Sequence, residues 1–172
     1  HPRSQHVAAA VHADLRAAYP SLTMTNGLPG SVLFACDRNT IRSVMAEAIM
    51  KHLVGHRVYV DSAGVRLTGE EADPFAIAAM QEIGLDISGH RAKSFEDLPD
   101  DSVDLIITFS PQAQHRAVEF TRTIACALEY WPLMHPADVT GPREVRLEAY
   151  REARDTLFEL IKARFPTPDR VV

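Results

Sequence analysis

The sequence predicts an α/β fold: a four-stranded parallel sheet flanked by helices on both faces, with a phosphate-binding loop after the first strand. Three observations predict it. Short, apolar, β-branched segments alternate with segments of 3.6-residue periodicity. Helix-start signals, Asp73-Pro74 foremost, stand between them. The alternation runs from Ser31 almost to the end of the chain, and strands joined by crossover helices lie parallel, with the helices on the sheet's faces.

The first strand is Val32 to Ala35, an apolar run that leads straight into Cys36. A helix over Ser43 to Leu53 follows, with Met45, Ala46, Ile49, Met50 and Leu53 on one side. "RVYVDSAG" is the second strand and ends at Ser62-Ala63-Gly64. Asp73 caps the next helix and Pro74 takes its first turn, where a missing N–H leaves no bond unmade. That helix runs through "FAIAAMQEIG" and stops at Gly84. "VDLIITFS" is the third strand, Pro111 to Phe120 the helix behind it, and "IACALEYW" the fourth strand. "GPREVRLEAYREARDTLFELIKARF" is a long last helix, with Leu147, Tyr150, Leu157, Leu160 and Ile161 spaced for burial. The domain reading is an N-terminal extension over 1–30, helical or loosely ordered, one domain over 31–165, and a tail over 166–172.

A chain of 172 residues buries one good core and is short for two. Its net charge of −5, with arginines scattered rather than grouped, argues against nucleic acid as a partner. Two cysteines, Cys36 and Cys126, make neither a disulfide framework nor a zinc cluster, and that usage fits a reducing, cytoplasmic compartment. No apolar run approaches the ~20 residues that span a bilayer, and His12, Asp14 and Arg16 spoil the opening alanine-rich patch as a signal peptide. The first residue is not methionine, which reads as a shortened or processed start. The expectation is a cytoplasmic protein with no metal, cofactor, nucleic acid or membrane partner.

The chemistry concentrates in "CDRNTIRS", Cys36 to Ser43. A turn from strand to helix directs backbone N–H groups inward, and the helix behind it adds partial positive charge. The backbone of Asp37, Arg38, Asn39, Thr40 and Ile41, continuing into Arg42 and Ser43, would form a cradle for phosphate or a related oxyanion. Cysteines at helix N-termini ionise well below the ~8.5 of a free thiol. Arg42 offers a permanently charged planar fork that fits two oxygens of a phosphate. Together these supply a nucleophile, an anion cradle and a clamp, the equipment for phosphoryl transfer through a cysteinyl-phosphate. A buried structural cysteine is the alternative reading of Cys36, and a helix N-cap that of Ser43.

On these residues the chain resembles the low-molecular-weight protein tyrosine phosphatase family, which includes related arsenate reductases. The family loop C-x-x-N-x-x-R-S is met by Cys36, Asn39, Arg42 and Ser43, and Met45-Ala46-Glu47 continues it. "VDSAG", Asp73-Pro74, "GLDISGHRAKSF", "EYWP" and the "RLEAYREARD" helix follow in order, so the resemblance covers Ser31 to Phe165. It implies a four-stranded parallel sheet and a cysteine-dependent phosphatase acting on phosphotyrosine or a small aryl phosphomonoester. The partner would be a phosphorylated protein or small phosphomonoester, with inorganic phosphate or another oxyanion as product or inhibitor. It makes Cys36 the nucleophile and Arg42 the phosphate clamp. It also has Asn39 hold an unusual backbone conformation, Ser43 hydrogen-bond the sulfur, and Ser62 and His90 support Asn39.

Three positions depart from the family. Its general acid is an Asp before Pro after the fourth strand, but here His135 precedes Pro136, with Asp138 three residues on as an alternative acid. A general acid is worth ~10²–10⁴ in rate, so the competing reading is a catalytically weakened phosphate- or oxyanion-binding regulatory domain. Asp37 and Arg38 stand where small or apolar residues are usual. A carboxylate facing a phosphate costs roughly 1–3 kcal/mol per charge pair at an effective dielectric near 20. Ile41 stands where many relatives carry a second cysteine, and "FSPQAQHRAVEF" has none of the cysteines of arsenate reductases. Thioredoxin-coupled arsenate reduction is therefore not expected, and Cys126 is read as core packing.

Overall fold

The computed structural model describes residues 17–19, 27–66, 70–98 and 103–166. Four strands, β1 (Ser31–Cys36), β2 (Tyr59–Gly64), β3 (Leu105–Thr108) and β4 (Ala127–Tyr130), form one parallel sheet in the order β2-β1-β3-β4. The helices are α1 (Arg42–Val54), α2 (Pro74–Gln81), α3 (Pro111–Phe120) and α4 (Arg143–Arg164). No helix among the described residues is long and apolar enough to cross a membrane.

Successive strand side chains point to opposite faces, and β1 divides its residues accordingly. Val32, Phe34 and Cys36 join one core with Ile49 and Met50 of α1, Met80 of α2 and Leu157 of α4. Leu33 and Ala35 join a second core with Phe95 and with Ala113 and Ala117 of α3. The helices therefore cover both faces, as the alternation implies. Their starts follow the cap chemistry. The Asp73 carboxylate accepts from the N–H groups of Phe75 and Ala76 at 2.8 and 3.4 Å, and the Ser110 hydroxyl accepts from Ala113 N at 3.2 Å.

β3 and β4 are shorter than their apolar runs, because β3 finds ladder partners on β1 only along Val32–Ala35. Cys126 consequently falls one residue before β4 and is partly exposed, its Sγ 3.2 Å from Ala127 O. It packs only at the edge of the second core, which corrects the reading of it as a core residue inside a strand. Of the N-terminal extension, Tyr19 is buried and belongs to the first core. Residues 1–16 and 20–26 lie outside the described residues, as do 167–172 of the expected tail.

One buried ion pair positions the segment after β4. The Arg164 guanidinium donates from Nε and Nη2 to Glu129 Oε2 at 2.9 and 2.8 Å, and Trp131 Nε1 donates to Glu129 Oε1 at 3.1 Å. The end of α4 is thereby pinned to the end of β4, which fixes where residues 132–138 leave the sheet.

Candidate active site

From β1 the chain crosses to β2 on one side, and β3 lies on the other. The C-terminal ends of β1 and β3 therefore border a crevice at the point where strand order reverses, which is where ligands bind in open α/β sheets. Cys36, the last residue of β1, stands at that crevice. The loop behind it turns sharply at Asn39, the only non-glycine residue with positive φ (58°) among those described. Asn tolerates this region better than most residues, and here its side chain is fully bonded. Asn39 Oδ1 accepts from Lys93 N at 3.1 Å, which fixes the amide orientation. Its Nδ2 donates to Ser43 Oγ and Ser62 Oγ at 2.8 and 2.9 Å. His90 Nε2 donates to the Asn39 carbonyl at 2.8 Å, which sets the imidazole tautomer.

Direction follows from this inventory. Because Ser43 Oγ accepts from Asn39, its own proton is free for Cys36 Sγ, 2.9 Å away. Ser62 Oγ likewise accepts from Asn39 and donates to Glu47 Oε1. The result is a chain of bonds from Glu47 through Ser62, Asn39 and Ser43 to the sulfur. Ser43 is not a cap: Ile41 occupies the N-cap of α1 and Ser43 is buried in the first turn. Gly64 makes room for the turn, since a Cβ there would come within 2.8–2.9 Å of backbone atoms of Asp37, Arg38 and Asn39.

Arg42 is 5% exposed. Its Nη1 donates to Phe109 O and Leu133 O at 3.2 and 2.8 Å, joining the end of β3 to the segment beyond β4. Its Nε is buried with no protein partner. A buried donor left unmet costs ~1–3 kcal/mol, and an oxyanion beside Cys36 is a ligand suited to it. Asp37 is tethered sideways. Its Oδ1 accepts from Ser110 Oγ at 2.7 Å, and its carbonyl accepts from Val65 N and Arg66 N at 2.8 and 2.9 Å.

These parts line a cleft of about 310 Å³, walled by Cys36, Arg42, His135 and Asp138, with Asp37, Arg38, Thr40, Ile41 and Arg66 around them. His135 immediately precedes the 3-10 turn Pro136–Asp138. Its Nδ1 is buried and unpartnered. Burial first, then the Arg42 charge, hold its pKa below the usual 6.5, while Asp138, Asp37 and Asp73 partly oppose them. His90 is lowered as well, chiefly by burial, against the bond to the Asn39 carbonyl and the charge of Glu47.

Sequence reasoning gave Lys93, Ser110 and Arg66 no role, and named Glu47 only within the Met45-Ala46-Glu47 continuation of the loop. Glu47 carried a signal, lying four residues after Ser43 on the same helix face. The other three reach the loop from separate segments, where chain spacing is silent. Among the described residues no group of three or more His, Cys, Asp or Glu side chains could hold a metal ion. Cys126 is remote from the cleft. Ala127 is in register with Leu105 and, through it, with Val32, so at ~3.3 Å per residue Cys126 and Cys36 stand about 16 Å apart along the strands. A disulfide needs Cα atoms within ~7 Å.

The profile of the low molecular weight phosphotyrosine protein phosphatase family matches residues 31–166. A glutaredoxin arsenate reductase of Synechocystis is 40% identical over 77 residues, 45% of this chain; the match spans only 57% of that relative's length. A low molecular weight protein tyrosine phosphatase from T. tengcongensis is 33% identical with a TM-score of 0.60, over 77% of this chain and 95% of that one. The Bacillus subtilis YwlE arginine phosphatase, in a mutant with a phosphorylated active-site serine, is 25% identical with a TM-score of 0.63, over 77% and 91% of the two chains.

Proposed function

The chain belongs to the low molecular weight phosphotyrosine protein phosphatase family, and from that premise we propose that it is a cytoplasmic, cysteine-dependent phosphatase of aryl phosphomonoesters, phosphotyrosine among them. The observation that carries this reading is the grouping in one cleft of Cys36, Arg42, His135 and Asp138, with Ser43 Oγ 2.9 Å from the sulfur. Cys36 Sγ attacks phosphorus as a thiolate. The S–P bond forms as the bond to the leaving oxygen breaks, and that oxygen takes a proton from His135, or from Asp138 in its stead. The cradle and the Arg42 guanidinium hold the three equatorial oxygens. Water then attacks phosphorus and gives its proton back to the same acid, and Cys36 departs as a thiolate that the Ser43 hydroxyl stabilises.

The lowered His135 pKa favours a second reading, an oxyanion-binding domain with weak turnover, because near neutral pH the imidazole is largely without the proton it must donate. Arsenate reduction through paired thiols is disfavoured, since Cys36 and Cys126 lie at opposite ends of the sheet. The test is Cys36→Ser assayed on an aryl phosphate, with phosphate and vanadate titrations alongside. Turnover is expected to vanish while oxyanion binding persists. Undiminished turnover would overturn the covalent mechanism. A wild type that binds vanadate but hydrolyses nothing would select the second reading.

A further inference from the structure

Glu129 and Arg164 are each only 7% exposed. Arg164 Nε reaches both carboxylate oxygens, at 3.2 and 2.9 Å, and Nη2 reaches Oε2 at 2.8 Å. A buried ion pair is a weak source of stability, since apolar side chains of similar volume often hold such elements as firmly. What it supplies here is direction: the planar guanidinium fixes the carboxylate, and Glu129 Oε1 in turn fixes the indole by accepting from Trp131 Nε1 at 3.1 Å. Trp131 is wholly buried, its ring 6.5 Å from Phe34 and 6.3 Å from Phe109, with planes inclined by 59° and 60°. Its backbone N donates to Thr108 O at 2.8 Å. Two residues on, Leu133 N donates to Phe109 O at 3.3 Å, and Leu133 O accepts from Arg42 Nη1 at 2.8 Å. Two residues further stands His135, in the wall of the cleft. Of these contacts only the bond from Arg42 touches residues 36–43.

We infer that Glu129 and Trp131 are positioning residues for proton transfer: held by Arg164, they aim the segment that carries His135 at the leaving oxygen. The inference rests on the phosphatase reading above and adds to it the device that places the acid. A donor must come within about 2.6–3.2 Å of the oxygen it protonates, and a misplacement of ~1 Å costs on the order of 10²-fold. Pro132 and Pro136 have no N–H to offer, so Trp131 and Leu133 are the backbone anchors of this stretch to the end of β3. The oxyanion is held by other groups, the cradle and Arg42. Displacing the acid therefore leaves the anion site in place.

The experiment compares phenyl phosphate with p-nitrophenyl phosphate for wild type, Trp131→Phe and Glu129→Gln, each also in a His135→Ala background. Phenolate leaves poorly and needs the proton, whereas p-nitrophenolate needs it far less. Trp131→Phe keeps an aromatic ring in the stack and removes the indole N–H, so it tests the link even where Glu129→Gln leaves too little folded protein. In both variants kcat on phenyl phosphate should fall about tenfold or more, while kcat on p-nitrophenyl phosphate and the vanadate Kd stay within about twofold. With His135→Ala already present, neither substitution should lower phenyl phosphate turnover further. Similar losses on both substrates, a weakened vanadate Kd, an undiminished loss in the His135→Ala background, or no loss at all would overturn the inference. NMR titration of the His135 imidazole gives a readout independent of turnover. Displacement takes the ring out of burial and away from Arg42, with Asp138, Asp37 and Asp73 opposing, so its pKa should rise towards 6.5 in Trp131→Phe. An unmoved titration would overturn the positioning. If wild type hydrolyses neither aryl phosphate while the titration moves as expected, the phosphatase reading falls and the placement of His135 by Trp131 stands.

Discussion

Its half-buried ring and then the Arg42 charge beside it make His135 lose its proton more readily than an ordinary histidine. A general acid works only while protonated, so activity falls as pH rises through its pKa. In the free protein that pKa lies below 6.5, so kcat/KM should already be declining at pH 6.5. Bound phosphate dianion favours the imidazolium, and the matching limb in kcat should lie at higher pH. His135→Ala should lose roughly 10²-fold or more on a phenyl phosphate with a poor leaving group and far less on p-nitrophenyl phosphate. His135→Asp should restore much of the loss at mildly acidic pH. Identical pH–rate profiles for wild type and His135→Ala on both substrates would remove His135 from proton transfer and leave Asp138 or water as donor. Cys36, Asn39, Arg42 and Ser43 were legible as a set because one short loop carries them. Ser110 could not be read in the same way. It reaches Asp37 across 73 residues of sequence, through a strand register that no local pattern states.

At the level of elements, Arg42 joins three pieces: the first turn of α1, the end of β3 through Phe109 O, and the segment after β4 through Leu133 O. A lysine keeps the charge but has one nitrogen where the guanidinium has a fork. Arg42→Lys should therefore weaken phosphate and vanadate binding roughly ten- to hundredfold, the range for losing one charge-assisted hydrogen bond of ~1.5–3 kcal/mol. It should also speed amide hydrogen exchange in residues 133–138. Calorimetric titration and exchange mass spectrometry read the two effects, and unchanged values in both would contradict the clamp. The strands and helices themselves were legible, since β-branched runs, helical periodicity and the Asp73-Pro74 cap are local signals. Element lengths were not: β3 and β4 stop where ladder partners end, not where apolar residues do.

Across the whole molecule, two half-buried histidines, His90 and His135, hold fewer protons folded than unfolded. In the unfolded chain both titrate near 6.5. Between that value and the lower folded ones the unfolded state binds more protons, so stability is full above pH 6.5 and declines as pH falls below it. The urea midpoint should drop from pH 7.5 to pH 5.5, and less so in His90→Gln; a flat profile would refute the assignment. The parallel sheet carries one more consequence, from its two cysteines standing at opposite ends. An oxidant that turns Cys36 into a sulfenic acid meets no resolving thiol from Cys126, so repair depends on a thiol brought from outside the chain, and without one the sulfur proceeds to the irreversible sulfinic state.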